Sequence, residues 1–147
     1  MTISSYGLSL ILAIIACVIG GVLGGLTLAR PGSVLGLTSL EGDADAPPAM
    51  GLATEGRALG GLLILSHAAT ALFLGYQSSV GAAMAFALAM AWLGAALGRA
   101  ASVLIDKPKN RLNLTSLAFE VLIAVTLCLP FFNAGRLVVL RGHGMLV

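Results

Sequence analysis

An all-α fold, a four-helix transmembrane bundle belonging to a polytopic integral membrane protein, is predicted by three observations. Hydrophobic residues make up 59% of the 147 residues and charged residues only 10%, where soluble domains carry about 25% charge. No Asp, Glu, Lys or Arg occurs between Ala58 and Gly98. Four apolar stretches approach or exceed the roughly 20 residues that a helix needs to cross bilayer hydrocarbon. The mean hydropathy of +1.03 agrees. Spans consume nearly the whole length, so a single transmembrane domain over 1–147 is expected, with no soluble catalytic module.

The first span is expected over about 5–29. No basic residue precedes it and its apolar run outlasts a secretory h-region, so it reads as a retained helix rather than a signal peptide. Arg30-Pro31-Gly32 ends it, because a residue before proline is pushed out of the helical region. A polar connector over 33–54 follows, carrying Glu41, Asp43, Asp45 and Pro47-Pro48. Its first part, 33–40, is amphiphilic enough to lie at the membrane interface, with a plain loop as the equal alternative.

The second span is expected over about 55–75, with Thr54 as its N-cap. A short polar turn, Tyr76-Gln77-Ser78-Ser79, leads to the third span over about 80–105, rich in alanine: Ala82, Ala83, Ala85, Ala87, Ala89, Ala91, Ala95 and Ala96. The charged turn Asp106-Lys107-Pro108-Lys109-Asn110-Arg111 precedes the fourth span, over about 113–133. Asn113-Leu114-Thr115 has the form of a glycosylation sequon, but at a span's edge Asn113 is expected to cap the helix. Pro130 is placed to kink or end this span. A tail with Arg136, Arg141 and His143 follows.

Glycines recur four residues apart: Gly20 with Gly24, Gly21 with Gly25, Gly56 with Gly60, and Gly94 with Gly98. Such spacing lets helix backbones approach closely where lipid supplies no hydrophobic drive for association. Packing among the chain's own helices is the expected use, with self-association as the alternative.

Composition excludes several function classes. The formal net charge is +2, without the clustered basic and aromatic residues of a nucleic-acid surface. Cys17 and Cys128 both fall inside spans, and no CxxC occurs, so they read as small apolar fillers. HExxH, paired-histidine, GxSxG and P-loop motifs are absent from the sequence. No catalytic residue and no metal site are assigned.

Topology follows from the positive-inside bias. Arg30, Arg57, Arg99, Lys107, Lys109 and Arg111 lie at the two loop-bearing ends, against Arg136 and Arg141 on the terminal side. Loops 30–54 and 106–112 are therefore expected in the cytoplasm and both termini in the periplasm.

Four charged residues form the main candidate site. Arg99 lies about six residues before the end of the third span and Glu120 about seven residues into the fourth. At 1.5 Å per residue each is roughly 10 Å from the shared turn, so antiparallel neighbours bring them to similar depth. A lone charge in hydrocarbon costs several kcal/mol, and pairing relieves that cost. Glu55 and Arg57, at the start of the second span, fall on the same side. A buried ionic cluster of Glu55, Arg57, Arg99 and Glu120 is expected, with arginine forks holding carboxylates bidentately. Fixing helix register is its expected role. A ligand or lipid-headgroup site and acid–base catalysis are alternatives, and Arg57 and Arg99 can instead snorkel to lipid phosphates.

The pattern Glu55-Gly56-Arg57-Ala58-Leu59-Gly60-Gly61, then Gly98-Arg99, then Glu120 resembles a widespread family of small bacterial inner-membrane proteins with four predicted helices. That family is collected under a domain of unknown function. The resemblance implies the four-helix topology, the inner-membrane location and the importance of those four charges, and it brings no established activity. The acidic connector before Glu55 is longer than such a unit requires.

His67 sits near the middle of the second span beside Ser66, Ala68 and Ala69. An interhelical hydrogen bond, to a hydroxyl such as that of Thr70 or to a carbonyl on a neighbouring span, is its expected role. Ligation of haem or of a chlorophyll-type pigment is one alternative, since small neighbours leave room for a macrocycle, and proton handling is the other.

The leading function is a non-catalytic accessory or scaffold subunit of a larger inner-membrane complex, a bioenergetic one being the example considered. Its partners are membrane lipids and other integral membrane subunits, not nucleic acid. The first alternative is a small oligomeric transporter or channel using the four charges. The second is a membrane enzyme acting on lipid-soluble substrates, with Glu55 and Glu120 as acid and base.

Overall fold

A computed structural model describes the backbone over residues 5–31, 50–105 and 111–143, and the side chains over 5–31, 53–105 and 114–134. The fold is all-α. In chain order it contains α1 (Ser5–Ala29), α2 (Met50–Tyr76), α3 (Ser78–Ile105) and α4 (Arg111–His143), with no strand among the described residues. Each helix holds a stretch long and apolar enough to cross a membrane, so the chain is a multi-pass membrane protein. The interfacial segment 33–40, the acidic connector and the turn 106–110 lie outside the described residues.

Several helix ends differ from expectation. α2 starts at Met50, so Thr54 lies a turn inside the helix and is not its cap. The uncharged run Met50-Gly51-Leu52-Ala53 extends the apolar span backwards, and no residue in it forbids a helix. Asn113 is likewise the third residue of α4, not its cap. Gln77 alone separates α2 from α3: its N–H donates to the Phe73 carbonyl at 2.8 Å, and its own carbonyl accepts from the Gly81 N–H at 2.9 Å. One residue thus closes the last turn of α2 and opens the first turn of α3, so Ser78 and Ser79 are already helical.

Pro130 does not end α4, which continues to His143. Proline deprives the Thr126 carbonyl of its usual N–H, a loss that membrane helices tolerate when neighbouring groups compensate. Arg136, Arg141 and His143 therefore belong to a helix and not to an irregular tail.

The helices fall into two compact units, Cys17–Ala69 and Met1–Ala16 with Thr70–Val147. In the first, the end of α1 meets α2 through glycine. A Cβ on Gly24 would stand 2.8 Å from the Gly60 carbonyl oxygen and 2.9 Å from Ile64 N. A Cβ on Gly60 would stand 2.7 Å from the Gly24 oxygen and 2.5 Å from Leu28 N. The two backbones touch because neither glycine carries a side chain, as small-residue spacing permits in lipid. Gly21, Gly25 and Gly61, each one position away, meet nothing within 4 Å.

In the second unit α3 and α4 pack as an antiparallel pair. Phe86 stacks on Phe131 with centroids 4.5 Å apart, while Arg99 meets Glu120 towards the opposite end of α3. Phe132 completes an aromatic cluster edge-on to Phe86, and Trp92 lies edge-on to Phe119 at 6.1 Å. The buried face of α3 is made of Gly81, Ala82, Ala85, Ala89 and Ala96. Ile123, Ala124, Leu127 and Pro130 form that of α4. Gly81 is obligatory at the reversal, since a Cβ there would collide with the Phe73–Leu74 backbone.

Gly60→Leu is expected to lower the melting temperature in mild detergent, by overpacking worth about 1–3 kcal/mol, whereas Gly61→Leu is expected to leave it unchanged. Equal effects of the two variants would refute the glycine contact.

Candidate functional site

The ion pair grows from two hydropathy violations that the hairpin brings together. Arg99 Nε donates to Glu120 Oε1 at 2.7 Å. The arginine side chain is 41% exposed and the glutamate only 5%. The contact is a single hydrogen bond and not the bidentate fork expected from sequence. It uses Nε, and neither Nη group has a hydrogen-bond partner among the described residues. Glu120 Oε2 is buried and has no hydrogen-bond partner among the described residues. A carboxylate deep in an apolar environment is thus held by one charge-assisted bond, with acceptor capacity to spare.

Glu55 and Arg57 lie near the start of α2, in the other unit, and both are exposed. The structure therefore brings Arg99 and Glu120 into contact and places Glu55 and Arg57 as exposed charges on a separate element.

His67 is fully buried. Its Nδ1 is 2.7 Å from the Leu63 carbonyl oxygen, one turn earlier in α2. A carbonyl only accepts, so Nδ1 carries the proton in this bond. This carbonyl lies on the histidine's own helix. In the neutral ring this tautomer leaves Nε2 as the basic nitrogen, the form that suits a metal ligand. The Nε2 side, however, faces Gly20 of α1 so closely that a Cβ there would overlap the ring and stand 2.7 Å from Cε1. The α1 backbone occupies the place where a haem or pigment ring would lie. The geometry therefore favours His67 as a packed, hydrogen-bonded side chain.

Gly20 was expected from its spacing to pack within the bundle, but its contact with His67 was not. Its signal lay in a run of small buried residues along α1: Ser9, Ala13, Ala16, Gly20, Gly24 and Thr27, spaced by fours and threes. That periodicity marks one face of a helix. Among the described residues no group of three or more His, Cys, Asp or Glu could hold a metal ion. Cys17 and Cys128 are free thiols.

Residues 7–130 match the family described as a domain of unknown function, DUF4345, and the chain belongs to that family. No curated protein and no solved structure matches it.

Two outcomes are expected. In a double-mutant cycle in detergent, Arg99→Gln and Glu120→Gln each lower the melting temperature. Their coupling is on the order of 1 kcal/mol, since the arginine is partly exposed. A coupling of zero would deny the pair any energetic role. Gly20→Ala destabilises by driving a methyl into the imidazole, and adding His67→Ala restores part of the loss. A Gly20→Ala protein as stable as the parent would contradict the packing of His67.

Proposed function

We propose that this protein is a non-catalytic accessory or scaffold subunit that docks helices of a larger complex in the bacterial inner membrane. One observation carries the reading. On α3, Ala87, Ala91, Gly94, Gly98 and Ala101 are all exposed, and their spacing of four, three, four and three places them on one helix face. Nothing lies within 4 Å of a Cβ built on Gly94 or Gly98. This face is offset by two residues, roughly 200°, from the buried Ala85, Ala89 and Ala96. The helix thus has two small-residue faces, one used against its own chain and one left open.

Small faces are how helices associate in lipid, where large apolar side chains gain nothing from burial against a neighbour. Elsewhere large residues hold many of the outward positions, among them Ile11, Ile15, Val18 and Val22 on α1, and Leu62, Leu65 and Leu72 on α2. An open small stripe among large lipid-facing residues supports a protein partner on α3. A bioenergetic assembly, with both loops cytoplasmic and both termini periplasmic, is the setting we favour, on the strength of the charge bias of the loops.

Purification from the native membrane in mild detergent provides the test. The parent is expected to retain a stoichiometric integral membrane partner that cross-links to Ala91→Cys. Gly94→Leu and Gly98→Leu are expected to lose it while melting at the parent's temperature. A clean homo-oligomer, or a partner indifferent to both leucines, would overturn the proposal.

A further inference from the structure

We infer that Arg99 and Glu120 form a binding site for a phospholipid headgroup that pairs a phosphodiester with a hydrogen-bond donor, as ethanolamine and glycerol headgroups do. The inference does not depend on the docking role, because Arg99 follows Gly98 and so lies about 100° around α3 from it.

The first observation is the orientation of the guanidinium. Glu120 holds the Nε edge at 2.7 Å, and among the described residues the Nη groups have no partner. The side chain is nevertheless only partly buried. In water the free N–H groups would be hydrated. Arg99 sits on a membrane-spanning helix whose other exposed positions include Leu97, Leu104 and Ile105, and acyl chains offer no acceptor. Phosphate oxygens are the acceptors lipid can bring, and the two Nη groups present the planar fork that takes phosphate bidentately.

Depth agrees. The 28 residues of α3 span about 42 Å against roughly 30 Å of hydrocarbon. A centred helix puts the Arg99 backbone about 11 Å from the midplane, within a side chain's reach of the boundary.

The second observation is Glu120 Oε2, buried and without a hydrogen-bond partner among the described residues, in a residue only 4% exposed. It belongs to the carboxylate that holds Arg99, so it lies at the same site. An acceptor in that state calls for a donor. A phosphodiester alone cannot supply one, whereas an ammonium or hydroxyl a few bonds from it can, once the carboxylate turns Oε2 towards the headgroup. The pair is also neutral overall, which suits a zwitterionic or singly charged headgroup better than a multiply charged anion.

The test uses the full chain, delipidated in mild detergent, with four additives: phosphatidylethanolamine, phosphatidylglycerol, phosphatidylcholine and inorganic phosphate. Melting temperature and lipid adducts in native mass spectra are read in parallel. Phosphatidylethanolamine or phosphatidylglycerol is expected to raise the melting temperature and persist as a one-to-one adduct, about tenfold more strongly than phosphatidylcholine, which has the phosphate but no headgroup donor. Arg99→Lys retains part of this preference and Arg99→Gln loses it. Equal retention of all three lipids would overturn the assignment of Oε2. An equal shift with inorganic phosphate would make the site one for a soluble anion and overturn the lipid assignment. The lipid series on the parent decides the matter even if a variant fails to fold.

Discussion

Helices surrounded by lipid cannot be held together by removing apolar surface from water, because the acyl chains are as apolar as the side chains they touch. Association must come from close contact, and close contact requires small residues at the meeting faces. That constraint explains why the burial pattern inverts the soluble rule. Ser9, Ala13, Ala16, Gly20 and Gly24 are buried on α1, while Ile11, Ile15, Val18 and Val22 are exposed. The same constraint makes Gly24 and Gly60 a backbone-to-backbone contact and makes Gly81 irreplaceable beside Leu74.

Polar groups obey a matching rule. With no water to complete them, hydroxyls bond to carbonyls one turn back in their own helix: Ser9 to Tyr6, Thr27 to Leu23, Ser66 to Leu63 and Thr126 to Leu122. His67 does the same with Leu63. Such bonds satisfy a side chain without linking helices. The Arg99–Glu120 pair differs, since it joins α3 to α4 across 21 positions of chain. With Phe86 on Phe131 towards the other end, it ties the register of the antiparallel pair at two separated points.

Much of the architecture was legible because hydropathy is a local property. The first span coincides with Ser5–Ala29, and the third falls within two residues of Ser78–Ile105. Ends were harder to read. Thr54, Asn113 and Pro130 are residues that cap or break helices in water, yet each sits inside one here. In lipid the demand that every backbone group be bonded outweighs such local preferences. Of the charged residues, Arg99 with Glu120 was legible from depth alone, since equal distance from one short turn is a matter of counting. Which nitrogen and which oxygen would meet was not.

Residue order alone therefore determined the number of helices, their approximate extents and the solvent they face, all of which follow from composition along a line. Only the tertiary structure decided how each helix is rotated about its axis. Gly20 with Gly24 and Gly21 with Gly25 have the same spacing, but one pair is packed and the other open. A rotation of about 100° exchanges them, and nothing within a single helix selects between the two. The choice is made by which face a neighbouring backbone can approach.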